Sequence, residues 1–208
     1  MKPDLTKISS VIFDLGGVII DLDMDATYKA FADLSDLTFE QVKELAAKED
    51  FFLKYEVGEI DDPTFRAHLR EHLEFTGEDG HLDAAWNAML GKIDKDKLER
   101  IEQMAQKYKL FVMSNTNEIH IRFFNRLVNH ISPNKPFHKY FTEVYLSQEV
   151  GERKPNSGAW QVILNDHQLS PETCLFIDDK LENVEAAEKL GIVGYQNVSP
   201  RDWLELFA

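Results

Sequence analysis

Residues 9–18 read Ser9-Ser10-Val11-Ile12-Phe13-Asp14-Leu15-Gly16-Gly17-Val18. Val11, Ile12 and Phe13 form an unbroken apolar run closed by an aspartate and, one residue on, two glycines. A strand covered on both faces has no polar side to alternate with, so it reads as continuous hydrophobic sequence. Glycines directly after it permit a tight loop. The stretch therefore predicts a buried parallel strand whose exit loop carries a carboxylate.

Working outward, the same punctuation recurs downstream. Leu110-Phe111-Val112-Met113 is a short apolar run ending at Ser114-Asn115, and Cys174-Leu175-Phe176-Ile177 ends at Asp178-Asp179. Glu143 to Leu146 and Ile192 to Val198 read as further strands. Helical stripes lie between them, including Leu98, Ile101, Met104 and Ala105, then a helix from Glu118, one after Pro155 with Trp160, Ile163 and Leu164, and one over Leu181 to Leu190 closed by Gly191. Strands alternating with helices imply a parallel sheet with crossover helices on both faces. The stretch from Met24 to about Leu90 is different. It shows helix spacing at Tyr28, Phe31 and Ala32, a capping box at Thr38 and Gln41, and an acidic, proline-bearing helix start at Asp61-Asp62-Pro63, but no convincing strand. The expected fold class is α/β, a Rossmann-like parallel sheet core formed by residues 1–20 and 94–208, with an inserted all-helical cap at residues 21–93.

The chain has 208 residues, with 23 Lys and Arg against 37 Asp and Glu, a formal net charge of −14. At about 150 residues per domain this is one domain and a fraction, which fits a core with an insert. So acidic a surface disfavours nucleic acid and anionic membranes as partners. Cys174 is the one cysteine, so no intrachain disulfide forms and a reducing, cytoplasmic setting is expected. No stretch approaches the ~20 apolar residues that span a bilayer.

In open parallel sheets, ligands bind beyond the carboxyl ends of the strands. Asp14, Ser114, Lys154 (in Gly151-Glu152-Arg153-Lys154-Pro155), Asp178 and Asp179 all fall there. Hard carboxylate ligands favour Mg²⁺, which fits between Asp14 and the Asp178-Asp179 pair. With Mg²⁺ and Lys154 the site becomes a cationic hole able to take a phosphate, and Asp14 becomes a nucleophile able to form an aspartyl-phosphate. Ser114 is placed to hold phosphate oxygens.

Those four segments, in this order, resemble the haloacid dehalogenase-like hydrolase superfamily with a helical cap after the first strand, and the resemblance spans essentially the whole chain. It implies that Asp14 is nucleophile and metal ligand, that Ser114, with Asn115 beside it, binds the phosphoryl group, and that Lys154 neutralises it. It further implies Asp179 as a direct metal ligand, Asp178 as a direct or water-mediated one, and the Gly16 carbonyl as a backbone ligand. The implied partner is a small phosphorylated metabolite.

Position 16 departs from the family pattern. Phosphatases of this family usually carry a general-acid aspartate there, a group typically worth ~10²–10⁴ in rate. Asp21, Asp23, Glu118 and His120 are nearby substitutes in sequence. The local pattern resembles a branch that includes phosphatases acting on α-glucose 1-phosphate, whose anomeric leaving group needs less help. This predicts a sugar 1-phosphate or similar small ester. The alternatives are carbon–halogen or carbon–phosphorus cleavage, the latter needing a Schiff-base lysine such as Lys29, Lys43, Lys48 or Lys54, or a catalytically silent binding module. His68 and His72 are expected on a solvated helix face, Phe51, Phe52, Tyr55 and Trp86 in the core of the cap, and hinges at Gly16-Gly17 and near Gly91.

Overall fold

The structure is a computed structural model describing residues 3–207. The first strand, β1, is Ser10–Phe13, followed by a short strand β2 at Ile20–Leu22. Five helices come next: α1 Met24–Asp33, α2 Phe39–Lys48, α3 Phe51–Glu56, α4 Asp62–Leu73 and α5 Asp79–Asn87. The chain then runs through β3 Leu90–Ile93, α6 Lys95–Met104, β4 Lys109–Ser114 and α7 Glu118–Ile131. The remaining elements are β5 Glu143–Leu146, α8 Ser147–Val150, α9 Gly158–Asp166, β6 Cys174–Asp178, α10 Leu181–Glu188 and β7 Val193–Gln196.

Five strands form a parallel sheet in the order β5-β4-β1-β6-β7. All four residues of β1 are buried, as its unbroken apolar run requires. Alternation still sorts them by face. Val11 and Phe13 join Val112, Leu110, Leu175 and Ile177 in a core that includes residues of α6 and α7. Ile12 points the other way, into a core shared with Phe111, Met113, Phe176 and the α9 residues Trp160 and Ile163. Because β1 lies between β4 and β6, with Phe13 level with Val112 and Ile177, the carboxyl ends of these three strands meet. This is the point where the strand order reverses.

Helices α1–α5 have their own core of Phe31, Val42, Phe51, Tyr55, Phe65, Leu69, Leu82 and Trp86. Phe65 is its centre: Tyr55 stacks on it at 4.1 Å and Trp86 lies 5.2 Å away. The local signals act as the sequence suggests. Thr38 and Gln41 form the reciprocal capping box of α2, and Asp61 caps α4 with Pro63 in its first turn. A short strand pair joins this helical unit to the sheet domain. The chain entering and leaving the helices pairs as the antiparallel ribbon β2–β3, with Ile20 opposite Ile93 and Leu22 opposite Leu90. An insert that leaves and returns at one place brings its two connecting chains side by side, and a ribbon satisfies their backbone groups. His68 and His72 are half-buried: both rings stack on Phe51, at 5.0 and 5.4 Å, and His72 stays partly open beside Glu49.

Candidate active site

The loop after β1 turns once around itself. Ile19 and Ile20 N–H groups donate to the Leu15 carbonyl, and Gly17 N–H donates to Ile20. Gly17 has φ +68°, and a Cβ there would lie 2.6 Å from Asp179 Oδ2, so only glycine allows the acidic pair to approach this loop. The loop is held from the far end of the chain. Asn197 donates its amide to the Gly17 carbonyl, and Trp203 donates its indole N–H to Val18.

Asp14 extends from β1, with its backbone N–H on the Ile177 carbonyl of β6. Lys154 Nζ lies 2.7 Å from Asp14 Oδ1 and 2.7 Å from Asp178 Oδ2. The lysine is 1 % exposed and Asp178 is fully buried. Asp178 also accepts from the Asn183 amide at 3.0 and 3.1 Å and from Lys180 N–H at 2.8 Å. Ligand oxygens of Asp14, Asp178 and Asp179 lie within 4.8 Å of one another. Burial pushes the Asp14 carboxyl up to about 7; Lys154 opposes the shift and Asp178 adds to it. Burial and Asp178 raise Asp179 as well. Burial works against the Lys154 ammonium, but Asp14 and Asp178 outweigh it and hold its pKa above the ordinary value. Burial is the main cause of both shifts, and the mutual repulsion of the acids adds to it against Lys154 and, at Asp179, Lys180, so added positive charge would favour the ionised carboxylates. The donors present fit a hard divalent cation, and the Gly16 carbonyl accepts no hydrogen bond among the described residues.

Ser114 ends β4 and is buried at the same edge. Asn115 has a role that sequence reading missed. Its carboxamide accepts from Lys154 N–H at 2.9 Å and donates to the Lys154 carbonyl at 2.8 Å, clamping the lysine backbone from both sides. It therefore positions the lysine as well as lining the cavity beside Ser114. Arg153 turns away from the cluster, toward Glu56 of α3 at 3.1 Å.

A cavity of about 130 Å³ opens between the sheet edge and the helical unit. It is lined by residues that flank the ionic cluster: Leu15 and Gly16 after Asp14, Arg153 before Lys154, Lys180 after Asp179, together with Ser114 and Asn115. Trp86 and Met89 form its opposite wall, so Trp86 serves both the aromatic core and the cavity. A side chain at position 16 would meet Leu22 Cδ1, which fills that space. Of the four sequence candidates for a substitute acid, Asp21 bonds Lys97, Asp23 caps α1 and Glu118 pairs with Arg122. Only His120 lines the cavity, and burial pushes its pKa down to about 3, so it stands neutral near pH 7 and is no acid. Lys29, Lys43, Lys48 and Lys54 do not line it, which leaves the carbon–phosphorus route without its lysine.

The sequence matches the model of a haloacid dehalogenase-like hydrolase over residues 8–191. It is 28% identical over 198 residues to a D-ribitol-5-phosphate phosphatase of Bacteroides thetaiotaomicron, covering 94% of this chain and 95% of that one. The crystal structure of a family enzyme from the same organism, in complex with magnesium and inorganic phosphate, superposes with a TM-score of 0.88 at 32% identity, covering 97% of this chain and 100% of the other. An L-2-haloacid dehalogenase of Xanthobacter autotrophicus shares the fold at 17% identity and a TM-score of 0.59, covering 91% and 77%. With the family model matched across nearly the whole chain, this protein belongs to the haloacid dehalogenase-like hydrolases.

Proposed function

We propose that the protein is a magnesium-dependent phosphatase that removes phosphate from a small sugar or polyol phosphate through an aspartyl-phosphate on Asp14. The observation that carries this reading is the Lys154 ammonium held 2.7 Å from both Asp14 and Asp178 at the edge where Ser114 also ends. Mg²⁺ held by Asp14, Asp178, Asp179 and the Gly16 carbonyl would supply the charge neutralisation a phosphate needs.

In this account Ser114 and the neighbouring backbone orient the phosphoryl group, and Lys154 offsets charge at its oxygens. A carboxylate oxygen of Asp14 bonds to phosphorus as the phosphorus–oxygen ester bond breaks. The departing alkoxide takes its proton from water in the cavity, since Glu56, the one carboxylate among the described lining residues, is paired with Arg153 at 3.1 Å. A water molecule then attacks phosphorus, giving inorganic phosphate and the free Asp14 carboxylate. Residues 21–93 act as a cap that closes over this step, on a core of residues 1–20 and 94–208, and limits stray water.

Two substrate classes follow from different observations. Gly16, with its space taken by Leu22, favours an ester with a good leaving group such as a sugar 1-phosphate. Similarity over nearly full length to a D-ribitol-5-phosphate phosphatase favours a terminal polyol phosphate, and we adopt the second. A panel of sugar 1-phosphates, terminal polyol and sugar phosphates and 2-haloacids with Mg²⁺ tests this. Phosphate release should be fastest from the polyol group, with no halide released. Preference for 1-phosphates restores the first class, and halide release without phosphate release overturns the phosphatase reading.

A further inference from the structure

The cavity that Ser114 lines also carries a polar group that the phosphate chemistry does not use. His120 lies in the first turn of α7 and is buried, and its ring stacks on Trp86 of α5 at 4.7 Å and 18°. Its Nδ1 lies 3.0 Å from Asn87 Oδ1, also on α5. An amide oxygen only accepts, so Nδ1 carries the proton and Nε2 is left as an acceptor. Burial keeps the ring neutral, which preserves that acceptor at neutral pH. Nε2 has no protein partner among the described residues, and it is not among the buried polar atoms sealed from solvent without one. The neighbouring groups are engaged. The Trp86 indole N–H donates to Asn117 Oδ1 at 3.2 Å, and the same oxygen accepts His120 N–H. His120 is thus fixed on both faces of its function: orientation by stacking, tautomer by Asn87. Apolar Trp86, Met89, Ile121 and Phe124 line the same cavity, together with the polar Thr116 and Asn117.

A fixed acceptor that no protein group pairs discriminates by what a ligand leaves opposite it. A substrate hydroxyl donating to Nε2 gains a buried hydrogen bond, while an alkyl group there leaves the acceptor dry. We propose that His120 is a specificity-determining residue whose Nε2 accepts a hydrogen bond from a hydroxyl on the leaving group of the phosphorylated substrate, selecting polyol phosphates over hydroxyl-free alkyl phosphates. This inference rests on the phosphatase reading. It also places the recognised hydroxyl at the seam between α5 and α7, where binding substrate ties the helical unit to the sheet.

The test compares kcat/KM for D-ribitol 5-phosphate and pentyl phosphate, which share chain length and differ in hydroxyls. Wild-type protein with Mg²⁺ should favour the polyol ester by at least about ten-fold. His120→Phe, which retains the stack on Trp86 and removes the acceptor, should lower that ratio by about 10- to 100-fold. His120→Leu gives the same reading should phenylalanine not fit, and His120→Gln, which offers an acceptor again, should recover part of the ratio. A purely structural role lowers both substrates together and leaves the ratio where it was, which overturns the proposal. So does a wild-type protein without preference between the two esters. If wild type releases phosphate from neither ester nor from any in the panel, the phosphatase reading falls first and this inference with it.

Discussion

Lys154 is the residue on which the site's electrostatics turn. It is the one ammonium among three carboxylates and is almost wholly buried. Removing one partner of a buried ion pair leaves the other charge uncompensated, a cost of about 3–5 kcal/mol. Lys154→Ala should therefore lower the unfolding free energy by about that much without metal, and by less with Mg²⁺, as denaturant titrations in chelator and in Mg²⁺ would measure. Asn115→Ala removes the clamp on the Lys154 backbone. It should cost about 1–3 kcal/mol in stability and reduce kcat more than it raises KM, since it chiefly displaces the Lys154 charge that acts on the reacting phosphoryl group. His120 gives a pH signature. Its pKa falls from 6.5 to about 3 on burial, so between those values the unfolded chain binds the proton that the folded chain refuses. Its contribution is fully present above about pH 6.5 and is lost as pH falls toward 3. Urea midpoints at pH 7 and pH 5 should drop more for wild type than for His120→Phe. Asp14, Lys154, Ser114 and the acidic pair were legible in sequence because each directly follows an apolar run or a glycine-bearing loop. Asn87 and the clamp by Asn115 were not, because an asparagine carries no signal until the fold shows what its amide faces.

At the scale of elements, strands and helix starts followed local chemistry closely: the uninterrupted apolar runs became the buried strands, and Thr38, Asp61 and Asn117 capped the helices they precede. The ribbon β2–β3 escaped because three or four residues are too few to show a period, and pairing depends on where the insert returns. The helical unit meets the sheet at few, specific places. Tyr55 accepts from Ile119 N–H and donates to Asp62, which also pairs with Arg122, while Arg153 reaches Glu56. At Gly58, with φ +74°, a Cβ would overlap the Gln148 carbonyl of α8. Gly58→Ala should therefore separate α3 from α8. We expect a lower melting temperature and faster proteolysis of the chain around residue 58 than in wild type, read by limited digestion with and without Mg²⁺ and phosphate.

Across the whole molecule, the charge of −14 and the phosphate chemistry are reconciled by locality. A diffuse acidic surface repels polyanions, whereas one phosphate answers to the few charges within a Debye length of about 8–10 Å. The same cluster couples metal to fold: Mg²⁺ at about 100 times its Kd should add about 2.7 kcal/mol of stability. A thermal-shift titration should show this in wild type and lose most of it in Asp179→Asn. No helix among the described residues is long and apolar enough to cross a membrane. The central claim is covalent chemistry at Asp14, and peptide mass mapping of protein acid-quenched during turnover of D-ribitol 5-phosphate with Mg²⁺ tests it most directly. The account predicts a phosphoryl group on Asp14 in wild type and neither adduct nor turnover in Asp14→Asn. Turnover by Asp14→Asn at the wild-type rate, or phosphate on a different residue, would contradict it.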